Sequence, residues 1–251
     1  MGTAVRKLLE EKGHLVWSLD IAESDDPYYI RTDITSTESV NVAVQKIASV
    51  SCKIDAVVHT AGIYDMNSLV EMPEEEFLRI FNVNLFGMYR VNKAFLPLLN
   101  PKSRIIMVSS ELAPLDPLPF NGIYGITKST IEKYAYSLRM ELQLLGHKVS
   151  VIRPGAVKTS LLDVSQKRIE NFCDSTELYK NTSRRFLKLV NKIETSNVKP
   201  EKVASKILRA LQTPHPRYVY NINRSPLLFL FNILPQHLQN FLIRKILTNR
   251  G

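Results

Sequence analysis

Two side chains that lie four positions apart on one predicted helix could carry out proton chemistry. Tyr124 and Lys128 share a helix face, because residues i and i+4 are neighbours there. A lysine ammonium beside a phenol lowers the pKa of the phenol from its unperturbed value of about 10 towards neutrality. Ser110 lies fourteen positions before Tyr124, at the end of an apolar run. The pattern predicts a general acid/base for the proton of an alcohol or a ketone.

Short apolar runs alternate with longer helical patterns along the chain. The runs predict strands at 15–19, 54–59, 105–108, 149–152 and 218–220, and helical patterns occupy 3–12, 36–48, 73–99 and 121–145. Continuous apolar runs suit parallel strands that are buried on both faces. The alternation is typical of an α/β fold with a Rossmann-type, doubly wound parallel sheet.

The length and the cysteine content set further limits. With 251 residues and 45% hydrophobic content, the chain can bury a substantial core, and we expect one domain over 1–251. Within it, 161–198 shows no clear pattern and is expected to be a substrate loop. Cys52 and Cys173 have no Cys or His at ligand spacing, so we expect no metal, no disulfide scaffold and a reducing, cytoplasmic location.

The formal charge of +9 is concentrated at the C-terminal end. There is no arginine-rich run and no aromatic RNA motif, so we expect no nucleic-acid partner. The 225–251 segment forms an apolar and basic extension that could contact a membrane surface or pack over a substrate pocket. Its apolar runs are shorter than the roughly 18 residues of a spanning helix.

Four motifs accompany Tyr124 and Lys128 in a fixed order. They are Thr60-Ala61-Gly62 after a predicted strand, Asn82-Val83-Asn84 in the long helix, Val108-Ser109-Ser110 at a strand end, and Pro154-Gly155 followed by Val157 and Thr159. In this order and spacing the chain resembles a short-chain dehydrogenase/reductase, of the hydroxysteroid-dehydrogenase-like kind. A lone Tyr-x-x-x-Lys is common by chance, whereas four ordered matches are not.

The resemblance implies four catalytic residues. Tyr124 exchanges the proton, Lys128 lowers its pKa and binds the nicotinamide ribose, Ser110 orients the substrate oxygen, and Asn84 holds the water of a proton relay. The family's serine usually lies about one residue closer to the tyrosine. Ser110 is preferred because the family's serine is usually the second of such a pair. Ser109 remains an alternative, and Glu111 would occupy the serine position if the spacing were rigid.

The resemblance also implies a site for a nicotinamide dinucleotide. Its expected residues are Gly2, Asp20, Asp33, Ile34, Ala61, Gly62, Tyr124, Lys128, Pro154, Gly155, Val157 and Thr159.

The residue at the end of the second strand of the family pattern, Asp20, decides which dinucleotide is expected. A carboxylate there accepts hydrogen bonds from the adenosine ribose hydroxyls and repels a 2′-phosphate, so NAD is favoured over NADP. No lysine or arginine lies between positions 15 and 30, and Glu23, Asp25 and Asp26 would oppose that phosphate.

The family's first strand and most of its glycine-rich turn have no counterpart in this sequence. Met1-Gly2 aligns with the last two positions of that turn, which binds the pyrophosphate. The lost strand would lie between the strands ending at Asp20 and His59. We therefore expect that the native chain starts roughly 10 to 20 residues upstream.

These observations lead to an expected function. We expect an NAD(H)-dependent oxidoreductase that interconverts a secondary alcohol and a ketone, and Phe229, Phe231 and Phe241 indicate a hydrophobic, steroid-, retinoid- or lipid-like substrate. One alternative is a non-catalytic binding protein of the same fold that cannot hold a dinucleotide. Another is a membrane-surface protein that uses the basic tail. Family members often pair the helices matching 73–99 and 121–145, which implies a homodimer or homotetramer.

Overall fold

The computed structural model describes residues 1–193 and 197–248. In these residues, six parallel strands form two sheets, one of order β1-β2 and one of order β3-β4-β5-β6. The strands are β1 (Ser18–Asp20), β2 (Tyr29–Arg31), β3 (Ile54–His59), β4 (Leu99–Val108), β5 (Lys148–Pro154) and β6 (Val219–Ile222).

Ten α-helices surround the strands in the described part of the chain. They are α1 (Gly2–Glu11), α2 (Thr37–Val50), α3 (Glu74–Phe81), α4 (Gly87–Phe95), α5 (Gly122–Leu142), α6 (Ser160–Ser175), α7 (Lys180–Ile193), α8 (Pro200–Gln212), α9 (Pro226–Ile233) and α10 (Gln236–Thr248). The Rossmann-type α/β fold expected from the sequence is therefore confirmed. None of the described helices is both long and apolar enough to cross a membrane.

The central strand β4 shows why the apolar runs are continuous. Ile106 and Val108 pack in one core cluster with α1 and α8, whereas Ile105 and Met107 pack in another with α4 and α5. Successive side chains of a strand point to opposite faces, so both faces of the larger sheet are buried. This packing fixes the carboxyl ends of β3, β4 and β5 beside one another.

The helix predicted over 73–99 is divided in the structure. Between α3 and α4 the backbone forms a π-helical turn, Asn82–Phe86, and a short 3-10 helix, Leu96–Leu98, follows α4. A π-helical turn is rare and occurs mostly as a single turn within an α-helix, frequently at a functional site. Here it carries the predicted catalytic residue Asn84.

The segment that the sequence left without elements, 161–198, contains most of α6 and all of α7. Ile169 and Phe186 from these helices pack in a cluster with Tyr64 and Tyr124, and Leu247 of α10 joins the same cluster. The segment is therefore largely helical and lies against the predicted catalytic tyrosine. Its role in substrate binding, like the single-domain organisation, stays a prediction.

Candidate active site

A cleft of about 370 Å³ lies where strands of the larger sheet end. Residues that follow β3, β4, β5 and β6 all contribute to its walls, and so do α5 and α7. Open parallel sheets bind ligands at the carboxyl ends of their strands. Nine of the predicted site residues line this cleft, namely Ala61, Gly62, Ser110, Tyr124, Lys128, Pro154, Gly155, Val157 and Thr159.

Tyr124 and Lys128 meet on the inner face of α5. The Nζ atom of Lys128 lies 5.4 Å from the centroid of the Tyr124 ring and donates a hydrogen bond to the carbonyl of Val108 at 3.3 Å. Both side chains are buried, and burial lowers the pKa of Lys128 to about 8. The ring of Tyr64 packs against that of Tyr124 with 4.5 Å between centroids. The Tyr64 ring thus restricts where the Tyr124 phenol can lie.

The three candidates for the serine position make different contacts. Ser110 Oγ accepts a hydrogen bond from the amide of Leu112 at 3.2 Å, which is compatible with donating its own proton to a substrate oxygen. Ser109 Oγ instead donates to the carbonyl of Lys128 at 3.3 Å. Glu111 Oε2 accepts from the amide of Ser225 at 2.6 Å, and burial raises the pKa of this carboxyl. These contacts favour Ser110.

Asn84 lies behind the cleft and is fully buried. Its Oδ1 accepts from the amide of Ile63 at 2.8 Å, and its Nδ2 donates to the carbonyl of Ile63 at 3.0 Å and to Thr127 Oγ1 at 3.2 Å. A Cβ added to Gly62 would lie 3.3 Å from Asn84 Oδ1 and 3.6 Å from Lys128 Nζ. Asn84 therefore ties the turn after β3 to α5, directly beside the lysine.

The strand β3 ends at His59 and the turn after it begins with Thr60, and contacts with α4 and α1 hold these two residues. His59 is buried, and its Nε2 lies 2.7 Å from Asn92 Oδ1 of α4. Burial lowers the pKa of His59 to about 4, so the ring is neutral at pH 7. A Cβ on Gly2 would come within 2.9 Å of Thr60 Oγ1, so the start of α1 lies against this turn.

The loop after β5 also requires a glycine. A Cβ on Gly155 would lie 2.1 Å from the carbonyl oxygen of Asn223 and 2.7 Å from Glu111 Oε1. Val157 forms a parallel bridge with Val198, which holds the loop beside the residue that precedes α8. The two glycines Gly62 and Gly155 thus keep backbone close to the cleft on both sides of Lys128.

Four of the predicted cofactor residues lie outside the cleft lining. Gly2 contacts Thr60 as described, and Asp20 is exposed at the end of β1, where its Oδ1 accepts from the amide of Ala22 at 3.2 Å. Asp33 accepts two hydrogen bonds from Thr35, which hold the pKa of its carboxyl below the usual range. The last of the four, Ile34, packs closely on Gly87 of α4.

Several cleft residues were missed by the sequence analysis. Asn121 lies one helical turn before Tyr124, and that spacing could have revealed it. Phe186 and Val190 come from α7, in a segment for which the sequence predicted no element. Leu227 comes from the start of the C-terminal extension, and Arg224 directly precedes that extension.

The described residues contain no group of three His, Cys, Asp or Glu side chains arranged to hold a metal ion. Of the two free cysteines, Cys52 is exposed and Cys173 is buried.

Comparisons with known proteins agree with this geometry. Residues 3–170 match the family model described as short chain dehydrogenase. A 3-ketodihydrosphingosine reductase of Bacteroides thetaiotaomicron is 28% identical over 222 residues, which cover 86% of this chain and 81% of that protein. Retinol dehydrogenase 16 of Mus musculus is 28% identical over 274 residues, with 98% of this chain and 84% of that protein covered.

A solved structure of a short-chain dehydrogenase from Streptomyces avermitilis shares the fold. It superposes with a TM-score of 0.72 at 20% identity, covering 97% of this chain and 90% of that chain. The family model covers well over half of the chain. The chain therefore belongs to the short chain dehydrogenase family, and that membership supports an oxidoreductase role.

Proposed function

We propose that this protein is an NAD(H)-dependent oxidoreductase that interconverts a secondary alcohol and a ketone. The observation that supports the proposal is the convergence of Tyr124, Lys128 and Ser110 on one cleft at the ends of parallel strands. When bound, the nicotinamide supplies the hydride for reduction or accepts it in oxidation. The protein's own residues hold the substrate and move the proton.

The proton step follows from the positions of these side chains. In the reductive direction the Tyr124 hydroxyl donates its proton to the carbonyl oxygen, and in oxidation its phenolate accepts the alcohol proton. The Lys128 ammonium, 5.4 Å from the ring centroid, stabilises that phenolate electrostatically. The Ser110 hydroxyl donates to the substrate oxygen and holds it near the phenol. Asn84 acts behind them by fixing the turn after β3.

The cofactor would lie where backbone approaches the cleft most closely. Gly62 and Gly155 leave no free space for a larger side chain, and a dinucleotide needs such close approach. The exposed carboxylate of Asp20 favours NAD over NADP, as proposed from the sequence. The two arginines near the acidic segment that follows β1 are already engaged, because Arg6 pairs with Asp26 and Arg31 with Glu23.

The substrate proposed for this cleft is hydrophobic. Its lining includes the apolar side chains of Met66, Leu118, Phe186 and Leu227. By their names, the two relatives described above act on 3-ketodihydrosphingosine and on retinol, and a 17-beta-hydroxysteroid dehydrogenase of Homo sapiens, 28% identical over 196 residues, acts on a hydroxysteroid. A cytoplasmic location is also proposed, on the cysteine content, and a homodimer or homotetramer is proposed on the family resemblance.

Contact of the C-terminal extension with an anionic membrane surface is a further part of the proposal. Phe229, Leu230 and Ile233 of α9 and Phe241 of α10 are largely exposed, although they are large and apolar. No Asp or Glu occurs from 202 to 248, so the surrounding charge is positive. We expect sedimentation with anionic vesicles and not with neutral ones. Loss of half or more of that binding is expected for Leu230→Glu, and unchanged binding would contradict the proposal.

The catalytic proposal is tested by removing one oxygen atom. Tyr124→Phe keeps the ring that packs on Tyr64 and removes the acid/base, so kcat/KM for ketone reduction should fall by about 10²- to 10⁴-fold. NADH affinity, measured by calorimetry, should stay within about threefold. Tyr136→Phe, at an exposed position of the same helix, is the matched control and should retain turnover. Intact turnover in Tyr124→Phe would refute the assignment.

A further inference from the structure

A second cavity, of about 220 Å³, lies between α9, the first half of α5 and the loop that follows β4. We call it the side cavity. Its walls are mostly apolar and include Leu115, Ile126 and Phe231. Four residues line both this cavity and the cleft, namely Leu112, Leu118, Asn121 and Leu228. The side cavity is therefore a neighbour of the cleft, with these side chains between the two.

Specific hydrogen bonds hold the wall of the side cavity in place. Asn232 Oδ1 of α9 accepts from the amide of Asp116 at 2.5 Å, and Gln239 Nε2 of α10 donates to the Asp116 carboxylate at 2.9 Å. At the start of α9, the amide of Ser225 is bound by the Glu111 carboxylate. The C-terminal helices are thus attached to the loop after β4 on both sides of the cavity.

The residue at the boundary of the two cavities carries an unpaired acceptor. Asn121 is 8% exposed, and its Oδ1 is buried with no hydrogen-bond partner among the residues that the structure describes. It precedes α5 as the N-cap residue, yet its side chain makes no capping hydrogen bond. A buried acceptor without a partner is unfavourable, so a ligand that donates a hydrogen bond there gains affinity. Tyr124 lies one helical turn further on, about 5 Å along the axis.

We propose that the substrate is an open-chain amphipathic ketone or alcohol, whose aliphatic chain lies in the side cavity and whose hydroxyl or amine near the reacting carbon donates to Asn121 Oδ1. This inference rests on the proposed function. A flexible chain can turn from the cleft into the neighbouring cavity, whereas a rigid fused-ring compound cannot. The proposal therefore selects the open-chain class from among the apolar substrates considered above.

Gly125 offers a way to block the side cavity. It lines that cavity, and a Cβ added there would meet no atom within 4 Å. Gly125→Leu places a side chain in the cavity, and leucine has a higher helix propensity than glycine. We expect the ratio of kcat/KM for a long-chain to a short-chain methyl ketone to fall at least tenfold. Ser137→Leu, which adds the same side chain at an exposed position of α5, should leave that ratio unchanged.

Two further measurements test whether the side cavity holds the aliphatic chain. In the unaltered protein, kcat/KM should rise about fourfold per added methylene while the chain is being buried, which is the change that ~0.8 kcal/mol per methylene gives. If Gly125→Leu does not fold, Thr130→Leu places a leucine in the wall of the same cavity. The ratio of kcat/KM for the long-chain to the short-chain ketone should then fall by the same factor.

Asn121→Leu tests the polar part of the proposal. The unaltered protein should prefer an α-hydroxy or α-amino ketone over the analogue that lacks this group by tenfold or more, and Asn121→Leu should reduce the preference to about twofold or less.

The outcomes separate this inference from the function on which it rests. If the unaltered protein reduces no ketone with NADH or NADPH, the proposed function fails and the inference fails with it. If it reduces ketones but both preferences survive in Gly125→Leu and Asn121→Leu, the inference alone is refuted. A preference for steroid ketones over open-chain ones would refute it as well.

Discussion

Replacing Lys128 should make the folded protein more resistant to unfolding at neutral pH while removing its activity. The lysine is buried, and burial lowers its pKa from 10.5 to about 8. At 1.36 kcal/mol for each pH unit between those values, holding the ammonium in the fold costs about 3 kcal/mol. Below pH 8 both the folded and the unfolded chain carry the proton, so this cost is fully present at pH 7.

The titration of Lys128 makes the free energy of unfolding depend on pH. Between about pH 8 and 10.5 the unfolded chain still binds the Lys128 proton and the folded chain has released it, so the free energy of unfolding rises with pH. Lys128→Met keeps an unbranched side chain and removes the titration. The stability advantage of Lys128→Met over the unaltered protein should therefore be larger at pH 7 than at pH 10, by about 2.5 kcal/mol, because at pH 10 the unfolded chain has already released part of the proton.

Urea unfolding at both pH values measures this difference. Contributions of the substitution that do not depend on the protonation of the lysine, such as the lost packing of its aliphatic part, largely cancel when the two pH values are compared. The m-value should stay constant, because the surface exposed on unfolding is nearly the same. If the stability difference between Lys128→Met and the unaltered protein changes by less than about 0.5 kcal/mol between pH 7 and 10, the reasoning is refuted, since the ammonium would then carry no burial penalty.

Two further predictions concern carboxylates. Asp20→Ser should raise the ratio of kcat/KM for NADPH to kcat/KM for NADH at least tenfold, because the carboxylate no longer repels the 2′-phosphate. The two values are measured with subsaturating cofactor. An unchanged ratio would show that the adenosine ribose does not bind beside Asp20. Burial raises the pKa of Asp65, whose Oδ2 has no hydrogen-bond partner among the described residues. The protonated form is therefore favoured in the fold, and stability is lost as the pH rises from the unfolded pKa through the folded one. Asp65→Asn should raise the thermal midpoint at pH 7 by a few degrees and less at pH 3, whereas equal shifts at both pH values would contradict this cause.

The sequence predicted the elements that rest on local periodicity, and it missed those that depend on tertiary contacts. Four of the five predicted strands overlap strands of the larger sheet, because their apolar runs are buried on both faces. The strand β2 has only three residues, too few for a pattern. The π-helical turn at Asn84 is stabilised by bonds to Ile63, a residue 21 positions away, so helical spacing alone could not reveal it.

In the candidate site, too, local spacing predicted some residues and tertiary contacts decided the others. Tyr124 and Lys128 were predicted as a pair because residues four apart on a helix must meet. The choice among Ser109, Ser110 and Glu111 needed their contacts with α5 and the C-terminal extension, which are distant in sequence. The side cavity depends on where α9 packs, and no spacing in the sequence contains that information.

The buried polar residues His59, Lys128 and Asn121 differ in how well the protein itself satisfies them. His59 is buried and neutral, and its Nε2 is hydrogen-bonded to Asn92 Oδ1, so this nitrogen already has a partner within the protein. Lys128 and Asn121 are buried beside the cleft with an unfavourable charge and an unpaired oxygen. A fold selected for stability alone would replace both with apolar side chains, because leaving them unmatched lowers stability. Their shared position around Tyr124 is accounted for if a bound cofactor and substrate supply the missing partners.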